Sequence, residues 1–154
     1  MQELSTWLPE IGEGKRGEDG HIGYLLRQAF GASRLAIERA LDDLNVTSPQ
    51  FSVLTLVNAY PGTSGADLAR LLQLTPQTVS VIVVNLEKHG AIVRRPHQVH
   101  GRVQQIEISA AGRALVEACR ARVAELEEGW LAGLSPDEEQ IIRRWLVQLA
   151  SPAG

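Results

Sequence analysis

Two short helices joined by a three-residue turn constrain this chain more than any other feature. The stretch "GADLARLL", residues 65 to 72, follows Ser64, a helix-capping residue, and places Asp67 at the third helical position. An acidic side chain there favours the positive end of a helix. After Gln73-Leu74-Thr75 comes "PQTVSVIVVNLEKHG", residues 76 to 90. Val79, Val81, Ile82, Val83 and Val84 are β-branched, and such a run taken alone suggests a strand. Thr75-Pro76 is nevertheless a cap followed by a first-turn proline, and Gly90 is a stop signal. Val79, Ile82, Val83 and Leu86 fall at i, i+3, i+4 and i+7, the spacing of one buried helical stripe. Each β-branched residue costs a helix a few tenths of a kcal/mol, whereas burying a large side chain contributes about 1.5–3 kcal/mol. The segment is therefore predicted to be a helix, and the pair a helix-turn-helix.

Beyond Gly90 the period changes. "AIV" at 91 to 93 and "VQQIEI" at 103 to 108 read as short strands, the second alternating apolar and polar residues. Between them "RRPHQVHGR" reads as a polar loop. A hairpin placed after a helix-turn-helix is a wing. Upstream, Ile22, Leu26, Phe30, Ile37, Leu41 and Leu44 recur at helical spacing, with Asn45 as a left-handed stop. Ser48-Pro49 is read as the cap and first turn of a second helix, which Tyr60-Pro61-Gly62 ends. Downstream, Ser109 starts a long helix with a stripe of Leu115, Cys119, Val123, Leu126 and Trp130. Ser135-Pro136-Asp137-Glu138 forms a capping box before Ile141, Ile142, Trp145, Leu146 and Leu149.

The expected fold is mainly α with a small β-hairpin wing, a winged helix-turn-helix bracketed by dimerisation helices at both chain ends. Residues 1–20, rich in glycine and charge around Trp7 and Leu8, read as a mobile leader. Residues 21–47 form the first dimerisation helix, 48–109 the DNA-binding region and 110–150 the C-terminal dimerisation helices. The terminal apolar stripes exceed what one small core needs, which points to a homodimer.

Charge supports a nucleic-acid partner through its distribution rather than its sum. The net charge of −3 and pI of about 5.8 argue mildly against one. From Lys88 to Ile106, however, no acidic residue occurs, while Lys88, Arg94, Arg95 and Arg102 supply four positive charges. Gln77, Thr78 and Ser80 occupy the first turns of the second helix, where a recognition helix meets base edges. Glutamine can bind adenine bidentately, and Thr or Ser can take base or phosphate. Ser64, Thr75, Pro76 and Asn85 complete the helix-borne candidates, the plain alternative being capping and solvation. Val81 either packs on the wing or meets a thymine methyl. Arg102, beside Gly101 at the wing tip, suits a minor groove, with His100 next to it. Arg94 and Arg95 suit phosphate or an intramolecular brace.

In this order, "SPQFSVLTLV", "GADLARLLQLTPQTVSVIVVNLEKHGAIVRR" and "HGRVQQIEISAAGRALV" resemble the MarR family of bacterial transcriptional regulators over residues 21 to 150. The resemblance implies a symmetric homodimer on double-stranded palindromic DNA. It also implies a small aromatic or phenolic effector held between the dimerisation and DNA-binding regions. Two positions depart from the family pattern: His100 replaces an acidic residue two places before the wing arginine, and Val81 replaces a basic or polar one. Tyr24, Arg27, Phe30 and Arg34 on the first helix are candidate effector contacts, although dimer-interface or surface roles suit each of them as well.

Other chemistries find little support. His97 and His100 make a His-x-x-His pair, but no Cys, Asp or Glu lies near in sequence to complete a tetrahedral metal set. Cys119 sits on an apolar stripe, as an inert thiol does, and as the single cysteine it excludes an intrachain disulfide. Enzyme motifs such as a phosphate-binding glycine loop or GxSxG are lacking, and no cofactor is expected. With neither a signal peptide nor a membrane-spanning run, the cytoplasm is the expected location. The competing reading is a winged-helix module that binds protein instead of DNA.

Overall fold

A computed structural model describes residues 14–151. Trp7 and Leu8 lie outside the described residues. Gly14–Asp19, part of the stretch expected to be mobile, form a short 3-10 helix. Beyond it come six α-helices: α1 (Ile22–Leu41), α2 (Ser48–Ala59), α3 (Gly65–Leu72), α4 (Pro76–Lys88), α5 (Ala110–Leu131) and α6 (Pro136–Ala150). Three short strands, β1 (Thr63–Ser64), β2 (Ile92–Pro96) and β3 (Gln104–Ile108), form an antiparallel sheet in the order β1-β3-β2.

Capping chemistry sets most of the boundaries. Asn45 ends the 3-10 turn Asp42–Leu44 in the left-handed conformation, with φ of 53°. The cap of α2 is Thr47, one residue earlier than expected. Thr47 Oγ1 accepts the Gln50 amide at 3.3 Å, while Gln50 Oε1 accepts the Thr47 amide at 3.0 Å, so Ser48 and Pro49 are already helical. Ser64, Thr75, Ser109 and Ser135 cap α3, α4, α5 and α6 as their spacing implied.

Two features of the wing differ from the sequence reading. Arg94, Arg95 and Pro96 belong to β2 rather than to the loop, because their backbone pairs with Ile106, Gln105 and Gln104. Thr63 and Ser64 add a third strand against Ile106 and Gln105. Two residues are too few to show a period of two, so this strand had no sequence signature.

The main core lies inside the winged helix. Val53, Leu54 and Val57 of α2, Leu68 of α3, and Val79, Ile82, Val83 and Leu86 of α4 pack with Ile92, Ile106 and Val116. A second cluster, Leu41, Val46, Cys119 and Val123, joins the end of α1 to α5. Arg122 reinforces that junction through two hydrogen bonds to Asp43, at 2.9 and 2.6 Å. α6 buries none of its residues in the single chain: Ile141, Trp145, Leu146 and Leu149 are all exposed. Trp130 and Phe30 are exposed with them, so the terminal stripes predicted as apolar faces are largely uncovered. None of the described helices is long and apolar enough to cross a membrane.

Candidate nucleic-acid interface

The buried stripe of α4 fixes which side chains can face a partner. Val79, Ile82, Val83 and Leu86 point into the core, and Gln77, Thr78, Ser80 and Val81 are exposed on the remaining surface. Val84 and Asn85 are half-buried at its edges. Thr75 Oγ1 accepts the Thr78 amide at 3.2 Å and lies 2.9 Å from Thr78 Oγ1, so these two hydroxyls order the helix start together. Pro76 occupies the first turn, where its missing N–H leaves no helical bond unmade. Ser64 is committed locally: its hydroxyl donates to Asp67 Oδ2 at 2.7 Å and accepts the Asp67 amide at 3.1 Å.

The basic window looks different in three dimensions. It is free of acid only along the chain, and the two carboxylates that bound it fold back onto it. Glu87, from the last turns of α4, accepts Arg94 Nε at 3.0 Å and Arg94 Nη2 at 2.5 Å. Glu107, on β3, pairs with Arg95 Nε at 3.1 Å, diagonally across the hairpin. The hydrogen bond from Arg94 holds the Glu87 carboxyl below its ordinary range and, reciprocally, raises the guanidinium. Arg94 and Arg95 are thus each ion-paired within the chain. Lys88 and Arg102 have no ion-pair partner among the described residues.

The wing tip is built by a histidine. His97 Nδ1 accepts the backbone amides of Val99 and His100, both at 3.1 Å, which places the ring proton on Nε2. His97 N donates to the Val103 carbonyl, and Val103 N to that of His100, each at 2.8 Å. His100 packs beside this ring with centroids 5.4 Å apart. The His-x-x-His pair therefore shapes the turn that presents Arg102. A cleft of about 260 Å³ separates wing and helices, lined by Gly65, Ser80, Val83, Arg94 and Gln104 among others.

The candidate effector residues on α1 make separate contacts. Tyr24 accepts from Gln28 at 2.8 Å, Arg34 pairs with Glu38 at 3.0 Å and Arg27 is exposed. Phe30 instead lines an apolar groove with Leu26, Trp130, Leu146 and Leu149. Sequence reasoning missed a cavity of about 530 Å³ between α2 and α5, walled by Phe51, Leu56, Leu72 and Val123. Arg120 and Glu127 supply its charge, and Thr55 Oγ1 is buried there without a hydrogen-bond partner. Nothing along the chain marks Thr55 or Arg120, since each reads as an ordinary helical residue.

The geometry matches known proteins. A MarR family model matches residues 43–103. The HTH-type transcriptional repressor Rv2887 of Mycobacterium tuberculosis is 33% identical over 134 residues, covering 87% of this chain and 96% of that protein. This chain belongs to the MarR family. As a MarR-family protein it is a DNA-binding transcriptional regulator, which settles the choice against a protein-binding module. The crystal structure of Rv2887 in complex with DNA is 32% identical, with a TM-score of 0.69 and coverage of 86% of this chain and 100% of that one. CouR of Rhodococcus jostii RHA1, solved bound to p-coumaroyl-CoA, is 26% identical with a TM-score of 0.81, covering 88% and 96%. Rv2887 has also been solved with salicylic acid.

Proposed function

We propose that this MarR-family chain is a repressor, not a catalyst, acting in the cytoplasm as a homodimer on an inverted-repeat operator. A small aromatic acid would release it. The observation that carries the reading is the exposed polar surface of α4, standing beside a wing whose Arg102 is uncommitted. Helix α4 supplies base contacts and the wing supplies charge. Residues 48–109 carry this work, and α1, α5 and α6 join the two copies through their uncovered apolar faces.

The effector reading rests on the α2–α5 cavity. Its walls are apolar and aromatic, Thr55 offers an unsatisfied hydroxyl, and Arg120, which pairs with the exposed Glu117 at 3.0 Å, stands at the edge where a ligand carboxylate would replace that partner. Rv2887 and CouR, both solved with aromatic acids or their thioesters, support that ligand class. A ligand there would press on α2 and α5 together, and α2 shares the core that seats α4.

Selection of bound sites from random duplex DNA, followed by footprinting, tests the reading. An inverted repeat with half-sites about one helical turn, roughly 10 bp, apart is expected. Salicylate should release the complex, and salicylamide, which lacks the charge, should act more weakly. Protection of isolated half-sites would overturn the dimer geometry, and equal potency of acid and amide would overturn the role given to Arg120.

A further inference from the structure

Val81 is 63% exposed, on a helix whose other branched aliphatic side chains are buried or half-buried. Packing on the wing would have explained an apolar residue there. The side of α4 facing the wing, however, carries Val79, Ser80 and Val83, which line the cleft with Arg94, Gln104 and Ile106. At 3.6 residues per turn, Val81 instead projects opposite the buried stripe, one turn beyond Gln77. Nothing among the described residues covers it.

Resting on the reading of α4 as the major-groove helix, we propose that Val81 is a specificity-determining residue that recognises the 5-methyl group of a thymine. The C5-methyl is the largest apolar group on a major-groove base edge; cytosine offers only a C5–H in its place, and the rest of that edge is hydrogen-bond donors and acceptors. Against a thymine, the isopropyl group and the methyl shield each other from water. Against a G·C pair, the same side chain would cover polar atoms and offer them no partner, so Val81 rejects as well as selects. One helical turn is about 5.4 Å and a base-pair step about 3.4 Å, so Gln77 and Val81 fall within two base pairs of each other. An adenine contact at Gln77 and a methyl contact at Val81 thus specify a short A·T-containing element in each half-site.

The test replaces each thymine of the selected operator, one symmetric pair at a time, by deoxyuridine, which lacks only the methyl group. For the wild-type protein, one pair should lower affinity about fourfold per half-site, the factor expected for one buried methyl. Val81→Ala should bind the unmodified operator more weakly and be indifferent to deoxyuridine at that pair. Val81→Thr, which keeps a branched shape and one methyl, should retain part of the sensitivity. If no thymine is sensitive, or if Val81→Ala keeps the full deoxyuridine effect, the assignment fails while α4 remains the reader. If Gln77→Ala and Val81→Ala both leave operator affinity unchanged, the major-groove placement of α4 falls, and this inference with it.

Discussion

Glu87 Oε2 accepts hydrogen bonds from both Nε and Nη2 of Arg94, tying the recognition helix to the first strand of the wing hairpin. A cation that along the chain suits either phosphate or an intramolecular brace is therefore paired with a carboxylate in the fold. The pair links recognition helix and wing through a side-chain contact besides the backbone that joins them.

The basic residues should separate by their salt dependence. Arg102→Ala should weaken binding to operator and random duplex by similar factors and reduce the salt slope by about one. Arg94→Ala should weaken operator binding with little change in slope, since its charge is already compensated. Glu87→Gln should tighten binding to random duplex and steepen the slope by exposing that charge. Titrations at several salt concentrations check all three, and identical slopes for Arg94→Ala and Arg102→Ala would refute the distinction.

Gly112 should resist substitution. A Cβ built there would stand 2.0 Å from the Ala91 carbonyl oxygen and 2.7 Å from Ile108 Cγ1. Neighbouring bonds hold this corner closed: Ser109 Oγ donates to the Gly90 carbonyl at 2.5 Å, and Ser109 N to that of Ala91 at 3.0 Å. Gly112→Ala should destabilise by at least about 1–3 kcal/mol, the usual cost of overpacking, read as a lower urea midpoint. Gly129→Ala, where an added Cβ meets nothing within 4 Å, should be neutral or stabilising by up to about 1 kcal/mol.

Acid should unfasten the ion pairs in order of their linkage. The Arg122 hydrogen bond lowers the Asp43 carboxyl below its ordinary value of 3.8, and the Arg94 hydrogen bond lowers Glu87 below 4.5. A carboxyl with a depressed folded-state pKa stabilises fully above its unfolded value and loses that contribution as pH falls through the folded one. The melting temperature should therefore hold above about pH 5 and fall below it, and Asp43→Asn should flatten that fall. Parallel melting curves for wild type and Asp43→Asn between pH 6 and pH 3 would contradict the linkage.

The dimer should depend on α6. Its Trp145 and Ile141, exposed in the single chain, belong to the face assigned to the partner copy. Trp145→Glu should give a folded monomer of 16.8 kDa in sedimentation, while wild type sediments as a dimer. Operator affinity should then drop at least about a hundredfold, because the second half-site no longer binds as part of one body. A wild-type chain that stays monomeric at nanomolar concentration would overturn the assignment.

The sequence alone determined the helices of the winged region, because caps and periodicity are local. Thr75-Pro76, the Val79-Ile82-Val83-Leu86 stripe and Gly90 mark α4 within sixteen residues, and β-branching did not override them. Local signals also marked Gln77 and Val81 as non-core, since position on a helix follows from spacing. Tertiary structure decided everything that depends on residues distant in the chain or on fine placement. Thr63-Ser64 became a strand only because β3 offered a free edge. Arg94 and Arg95 became ion-paired only because the fold returned Glu87 and Glu107 to them, and the cavity beside α2 and α5 arises only from how distant helices pack. Charge along a chain can be counted, but its availability to a partner depends on which neighbours compensate it in space. Of the four cations in the acid-free window, two were already paired.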